Sequence, residues 1–302
     1  MTSLHAAPEL AGYHDEPAQL PSGAPGKNGL LHLGFARRDG RTALVGLRRR
    51  TPLLVHQALY WDEELPDLAC VIIIDTAGGI VQGDRYELEI EVAEGARAHL
   101  TTQAAAKVQE MDANYASQSQ RIVLRDGAYL EYVPEPIIPY RHSRFITHTH
   151  VCLPESATLV YAEILMPGRK HHGELFRYDL YSSRLSVSRP DGTLLFAEKF
   201  LIEPARSTPA RCGVLGGFHV FGNVLLLTAP ERAERVLAQV PAVVDRTEGW
   251  AAGASRLPND AGISYRILGM ESEPVRAMVR DFWSVARVAV AGHPVPARFA
   301  WR

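Results

Sequence analysis

Residues 77–107 read AGGIVQGDRYELEIEVAEGARAHLTTQAAAK, and their pattern decides the fold class. Gly78, Gly79 and Gly83 punctuate the start, and Asp84 closes a turn before a long alternating run. In that run Tyr86, Leu88, Ile90 and Val92 point one way and Arg85, Glu87, Glu89 and Glu91 the other. This is the pattern of a strand with one buried and one wet face. Glu94-Gly95 interrupts it, and Ala96, Ala98 and Leu100 resume the alternation as far as Thr101 and Thr102. The unit is a glycine turn, a strand, a turn, a second strand and a polar loop ending at Lys107. A phosphate loop is excluded, because it needs its glycines and lysine between a strand and a helix, where backbone N–H groups converge on the anion.

Outward from this unit the chain is strand-like almost throughout. Residues 30–36 and 42–50 flank an Arg38-Asp39-Gly40 turn, which predicts a hairpin. Arg48, Arg49 and Arg50 are accounted for by a solvated strand end. The run from Cys70 to Ile74 predicts a strand buried on both faces. Further strands are predicted at 121–124, 128–133, 145–153, 159–166, 175–181, 184–188, 194–196, 219–227 and 263–268. A short helix is expected over 231–240. A longer one over 273–290 is marked by Val275, Met278, Val279, Phe282, Val285 and Ala286 on one face, with Ser272 placed to cap it. Residues 1–28 carry no hydrophobic periodicity and predict a mobile tail ahead of a single domain over 29–302. No repeat of fixed period is visible. Many short strands with helices mainly near the C-terminus are compatible with a large sandwich, a barrel or a β-solenoid.

The composition of the 302 residues, 46% hydrophobic and 22% charged, suits a globular protein that can bury a core. A net charge of −2 offers no footprint for nucleic acid. The three cysteines, Cys70, Cys152 and Cys212, are far apart and odd in number, which fits a reducing compartment. With no apolar run of spanning length and no signal-peptide pattern, no membrane association and a cytoplasmic location are expected.

The ordered set Gly-Gly-x-x-x-Gly-Asp at 78–84, Leu-Thr-Thr-Gln at 100–103 and Lys107 resembles the core signature of the UreD/UreH urease accessory proteins. The resemblance continues through Tyr-Leu-Glu-Tyr-Val-Pro-Glu-Pro at 129–136, Pro-Gly-Arg at 167–169 and Gly-Glu at 173–174. It ends in an aromatic C-terminal helix and a Pro-Ala-Arg-Phe-Ala-Trp tail at 296–301, so that it covers residues 29–302. Thr76-Ala77 departs from the proline pair of many members. The resemblance implies a mainly β protein with strands wound in stacked, roughly perpendicular layers. It also implies a non-catalytic scaffold that binds apo-urease and a helical UreF-type partner, which recruits a UreG-type GTPase. Nickel would then pass through the scaffold, with no tightly bound cofactor and only transient Ni²⁺.

Candidate metal-handling residues follow from side-chain type and placement. The loop Arg169–Glu174 holds His171, His172 and Glu174 between two strands. A charged loop is ordinarily a solvated connection, with Glu174 pairing with Arg169 or Lys170. Its match to the family's Pro-Gly-Arg and Gly-Glu pieces nevertheless implies a metal relay, for which imidazole and carboxylate are ligands of moderate strength that suit exchange rather than storage. Glu163 in an apolar strand, and Glu131 and Glu135 beside Tyr129 and Tyr132, must each face water or find a partner. His148, His150 and Cys152 share one face of a strand, but alternate Cβ atoms stand roughly 6.5–7 Å apart, which is awkward for joint chelation. A rival from another class is a β-rich metal-dependent hydrolase using His148, His150, His172 and a carboxylate. Zinc-protease, dinucleotide, nucleophile-elbow and EF-hand motifs are all absent from the sequence.

Overall fold

The computed structural model describes residues 4–15 and 26–299. The first long element is the expected hairpin. β1 (Asn28–Arg38) and β2 (Arg41–Arg50) pair antiparallel about Asp39 and Gly40, whose φ angles of 49° and 82° are those a tight hairpin turn demands. β3 (Leu53–Leu54) and β4 (Ala69–Asp75) follow. In β4 Cys70, Val71 and Ile73 are buried, as its unbroken apolar run requires.

From the glycine turn onward the chain coils. β5 (Arg85–Val92), β6 (Arg97–Thr102) and β7 (Ala106–Val108) make one circuit, and β8 (Ala116–Leu124), β9 (Tyr129–Tyr132) and β10 (Ile137–Pro139) a second. β11 (Arg144–Cys152) and β12 (Thr158–Leu165) make most of a third. Corresponding strands stack parallel: β5 on β8 on β11, β6 on β9 on β12, and β7 on β10. Columns of side chains run up the stack, such as Tyr86, Gln118 and Thr147 on one wall and Leu100, Tyr132 and Tyr161 on the other. The circuits begin at unequally spaced positions, Arg85, Ala116 and Arg144, so no fixed period shows in the sequence.

β13 (Leu180–Ser188) continues the first sheet in parallel, and β14 (Leu194–Ile202) ends it antiparallel. β15 (Val220–Leu227), the helix α1 (Pro230–Leu237), β16 (Val243–Asp245), β17 (Trp250–Arg256) and β18 (Gly262–Gly269) extend the second sheet antiparallel. The helix α2 (Ser272–Ala291) lies on that sheet's outer face. The architecture is mainly β, with stacked parallel coils of β-solenoid type and two helices toward the C-terminus.

Two apolar cores result. One fills the space between the sheets, with Leu33, Phe35, Leu88, Ile90, Leu100 and Leu159 among its members. The other lies between the second sheet and α2, where Val160, Ile164, Val224 and Ile267 meet Val275, Val279, Phe282 and Trp283. The central strands of the second sheet are therefore apolar on both faces, whereas β5 alternates.

Four local expectations are corrected. Residues 4–15 do not run loose: Leu10 is fully buried with Tyr115, Ile146 and Leu180, and Glu9 bonds Ser182 and Lys199. Residues 16–25, also part of the expected tail, lie outside the described residues, as does the end of the tail motif at Ala300-Trp301. No strand forms over 175–179, because Phe176 adopts a φ of 52° that breaks extended pairing, and one continuous strand starts at Leu180. β16 and β17 escaped notice because Ala251, Ala252, Gly253 and Ala254 offer no apolar alternation. Finally, Ser272 does not cap α2, whose N-cap position is Glu271 without a side-chain cap bond.

Candidate functional site

The glycine turn frames one end of an internal space. Gly78, Gly79 and Gly83 all hold positive φ, at 73°, 150° and 77°. At Gly79 this has a steric reason: a Cβ would stand 2.9 Å from the Lys107 carbonyl oxygen, which accepts the Ile80 N–H at 2.8 Å. Asp84, fully buried, accepts the backbone N–H groups of Lys27 and Val81 at 2.8 and 2.9 Å and so fixes the turn to the start of β1. Thr101 is buried in β6, and the hydroxyl of Thr102 accepts the Glu135 N–H at 2.9 Å, tying one coil to the next.

Between the sheets these elements enclose a cavity of about 190 Å³. Gly78, Gly79, Thr102 and Lys107 line it, together with the amides of Gln118 and Gln120 and three carboxylates, Asp75, Glu135 and Glu163. Glu163 accepts hydrogen bonds from the Tyr181 hydroxyl and, at 3.3 Å, from Ser183. Burial pushes its pKa above the ordinary carboxylate value, and those two bonds offset the effect only in part. Asp75 likewise has a raised pKa through burial, although the Ala77 N–H and the Tyr86 hydroxyl bond to it at 2.8 and 3.2 Å. Glu135 is gripped by both terminal nitrogens of Arg276 on α2, at 2.8 and 3.1 Å. The sequence singled out Glu135 and Glu163 but missed Asp75; its one signal was a carboxylate closing an apolar strand immediately before the glycine turn.

Glu174 lies elsewhere. It is nearly buried and held by Arg169 through Nε at 2.7 Å and through Nη2, while Arg169 sits over the Tyr140 ring at 4.2 Å. The Arg169 hydrogen bond holds the Glu174 carboxyl below its ordinary pKa. Gly168, with φ of 124°, has no room for a side chain, since a Cβ would stand 2.5 Å from the Glu174 carbonyl oxygen. The Pro-Gly-Arg and Gly-Glu pieces are thus one clasp. His171 and His172 project from its one-turn 3-10 helix into solvent.

A family model for the UreD urease accessory protein matches residues 27–302. The chain is 55% identical over 300 residues to urease accessory protein UreD 2 of Brucella suis biovar 1 (strain 1330), covering 99% of both chains. It is 50% identical over 298 residues to urease accessory protein UreD of Yersinia pseudotuberculosis serotype O:1b (strain IP 31758), covering 98% of this chain and 93% of the relative. The chain belongs to the UreD family of urease accessory proteins.

In this UreD-family chain the strand histidines stand apart from the cavity. His148, His150 and Cys152 lie on the half-buried outer face of β11, where His150 Nδ1 is 3.1 Å from the Ser186 hydroxyl. Burial lowers the pKa of both imidazoles, with Arg184 adding to it at His148 and Arg121 at His150. Among the described residues no three His, Cys, Asp or Glu side chains converge to hold one metal ion, so the set His148, His150, His172 and a carboxylate is not brought together.

Sequence reasoning also missed a buried ion cluster beneath α2. Arg287 forms ion pairs with Asp62 at 2.7 Å and with Glu131 at 2.8 Å, and all three side chains are fully shielded from solvent. Glu131 further accepts from Tyr129 at 2.6 Å and from His99 Nδ1 at 3.0 Å, and His99 stacks on Trp283 with ring centroids 5.0 Å apart. Burial opposes ionisation of Glu131, but the His99 bond and the Arg287 charge outweigh it and its pKa is lowered. Arg287 occupies the apolar face of α2, where periodicity alone gives no cue that a charge has partners. Among the described residues no helix is long and apolar enough to cross a membrane.

Proposed function

We propose that this accessory protein is a non-catalytic, cytoplasmic scaffold that binds apo-urease and a helical UreF-type partner, through which a UreG-type GTPase is recruited, and that Ni²⁺ crosses its internal cavity on the way to urease. The observation that carries this reading is the placement of Asp75, Glu135 and Glu163 on the wall of one cavity without convergence into a chelate. Oxygen ligands spaced along a wall bind a divalent cation weakly and in series, which favours transit over trapping. The raised pKa of Glu163 works in the same direction, because a proton competes with a cation more strongly there than at an ordinary carboxylate. Exposed His171 and His172 are suited to take the aqueous ion first, with Glu174 becoming a ligand once Arg169 releases it.

Glu163→Gln tests the reading. It keeps the shape and removes the charge, so the complex with apo-urease should assemble normally while nickel per urease active site falls. Full nickel loading by Glu163→Gln would remove the cavity from the route.

A further inference from the structure

We propose that Arg276 is an internal counter-cation that keeps Glu135 closed to metal, so that Ni²⁺ reaches this carboxylate only when the Arg276 side chain swings away; this rests on the reading of the cavity as a nickel route. Glu135 is the one cavity carboxylate whose two oxygens are both engaged by a cationic group, with Arg276 nitrogens at 2.8 and 3.1 Å. A guanidinium in that fork occupies the face from which a metal ion would bind both oxygens.

The pair is within reach of water. Arg276 keeps 27% and Glu135 14% of side-chain exposure, so water can take over the released groups. The backbone of Glu135 stays in place meanwhile, since its N–H is bonded to Thr102 on the neighbouring coil and Pro134 and Pro136 flank it. Release therefore leaves the carboxylate facing the cavity and moves the arginine. The helix backbone is held at both ends. Val275 and Val279 at the near end are fully buried against the second sheet, and Arg287, eleven residues beyond Arg276, pairs with Asp62 and Glu131 with no exposure at all. The Arg276 side chain is therefore the part able to move. That near end is also joined to the exposed clasp loop, where Lys170 bonds the Met270 carbonyl at 3.1 Å and the Glu271 carboxylate. A partner that takes hold of the loop acts on the helix end that carries Arg276.

The test is calorimetric titration of the isolated full chain with Ni²⁺, comparing wild type, Arg276→Gln, Glu135→Gln and the double variant, with folding checked by thermal unfolding. Arg276→Gln should bind Ni²⁺ roughly two- to fivefold more tightly, the factor expected for losing a partly exposed competing ion pair. The double variant should lose that gain. Glu135→Gln alone should leave the wild-type affinity unchanged, because its carboxylate is already taken. An Arg276→Gln affinity equal to wild type, or a gain that survives in the double variant, overturns the proposal. Should Arg276→Gln fail to fold, Glu135→Gln still decides, since a marked loss of affinity would show that Glu135 is open to metal with Arg276 in place. The route and the latch fail separately: normal nickel loading by Glu163→Gln removes the route, whereas the titration reads Glu135 directly.

Discussion

Arg287 sets its Nε 2.8 Å from Oε1 of Glu131, and neither side chain meets solvent. The contact joins the last long helix to the middle of the coil stack and, through Glu131, to His99 and Tyr129 on neighbouring positions of the second sheet. A buried pair of this kind adds little net stability over an apolar pair, but parting it strands a charge in the interior.

Arg287→Met should therefore lower stability by about 3–5 kcal/mol, because Asp62 and Glu131 both remain buried without their cation. Chemical denaturation at neutral pH would show the loss. Part of it should return as the pH is lowered, when Glu131, deprived of Arg287, takes up a proton. A variant as stable as wild type would mean that the cluster holds nothing in place.

Glu163→Gln should be neutral or stabilising in the alkaline range. The folded-state pKa of Glu163 is raised, so the folded chain binds a proton more tightly than the unfolded one, and stability falls as pH rises between the two pKa values. The amide cannot ionise and escapes that loss. Thermal unfolding followed upward from the ordinary carboxylate pKa should show the variant gaining on wild type with rising pH; parallel curves would count against a raised pKa.

Glu174→Ala removes both Arg169 bonds and should cost about 1–2 kcal/mol, the worth of a charge-assisted hydrogen bond in a largely buried setting. Because the Glu174 pKa is lowered, its contribution is complete above the ordinary carboxylate value and disappears as pH falls through the lowered one. The stability difference between wild type and variant should thus shrink in acid. Nickel loading measured on the same variant separates the clasp from the relay: a stability loss with normal loading leaves only the clasp.

Gly168→Ala should cost about 1–3 kcal/mol from backbone strain, before any relaxation of the contact with the Glu174 carbonyl. The comparison is Gly173→Ala, whose Cβ would enter open space and whose strain comes from its φ of 76° alone. Equal melting temperatures for Gly168→Ala and wild type would show that the close approach relaxes freely.

The hairpin at Asp39-Gly40, the buried and wet faces of β5, the two-faced burial at β4 and the apolar stripe of α2 were all legible in the sequence. Each is a property of neighbours within a few residues, set by the twofold and 3.6-fold periods of the backbone. The ordered glycine, threonine and Pro-Gly-Arg pieces pointed to the family in the same local way. The site itself emerges only from long-range packing. Winding sets Leu100, Tyr132 and Tyr161 side by side though a whole circuit separates each from the next, and no local period encodes that spacing because the circuits differ in length. The same winding brings Asp75, Glu135 and Glu163 to one cavity, leaves His148 and His150 outside it, and gives Glu174 to Arg169. The choice of Arg276 for Glu135 and of Arg287 for Glu131 depended on where α2 comes to rest, which is set by apolar packing over the whole second sheet and not by the charges themselves.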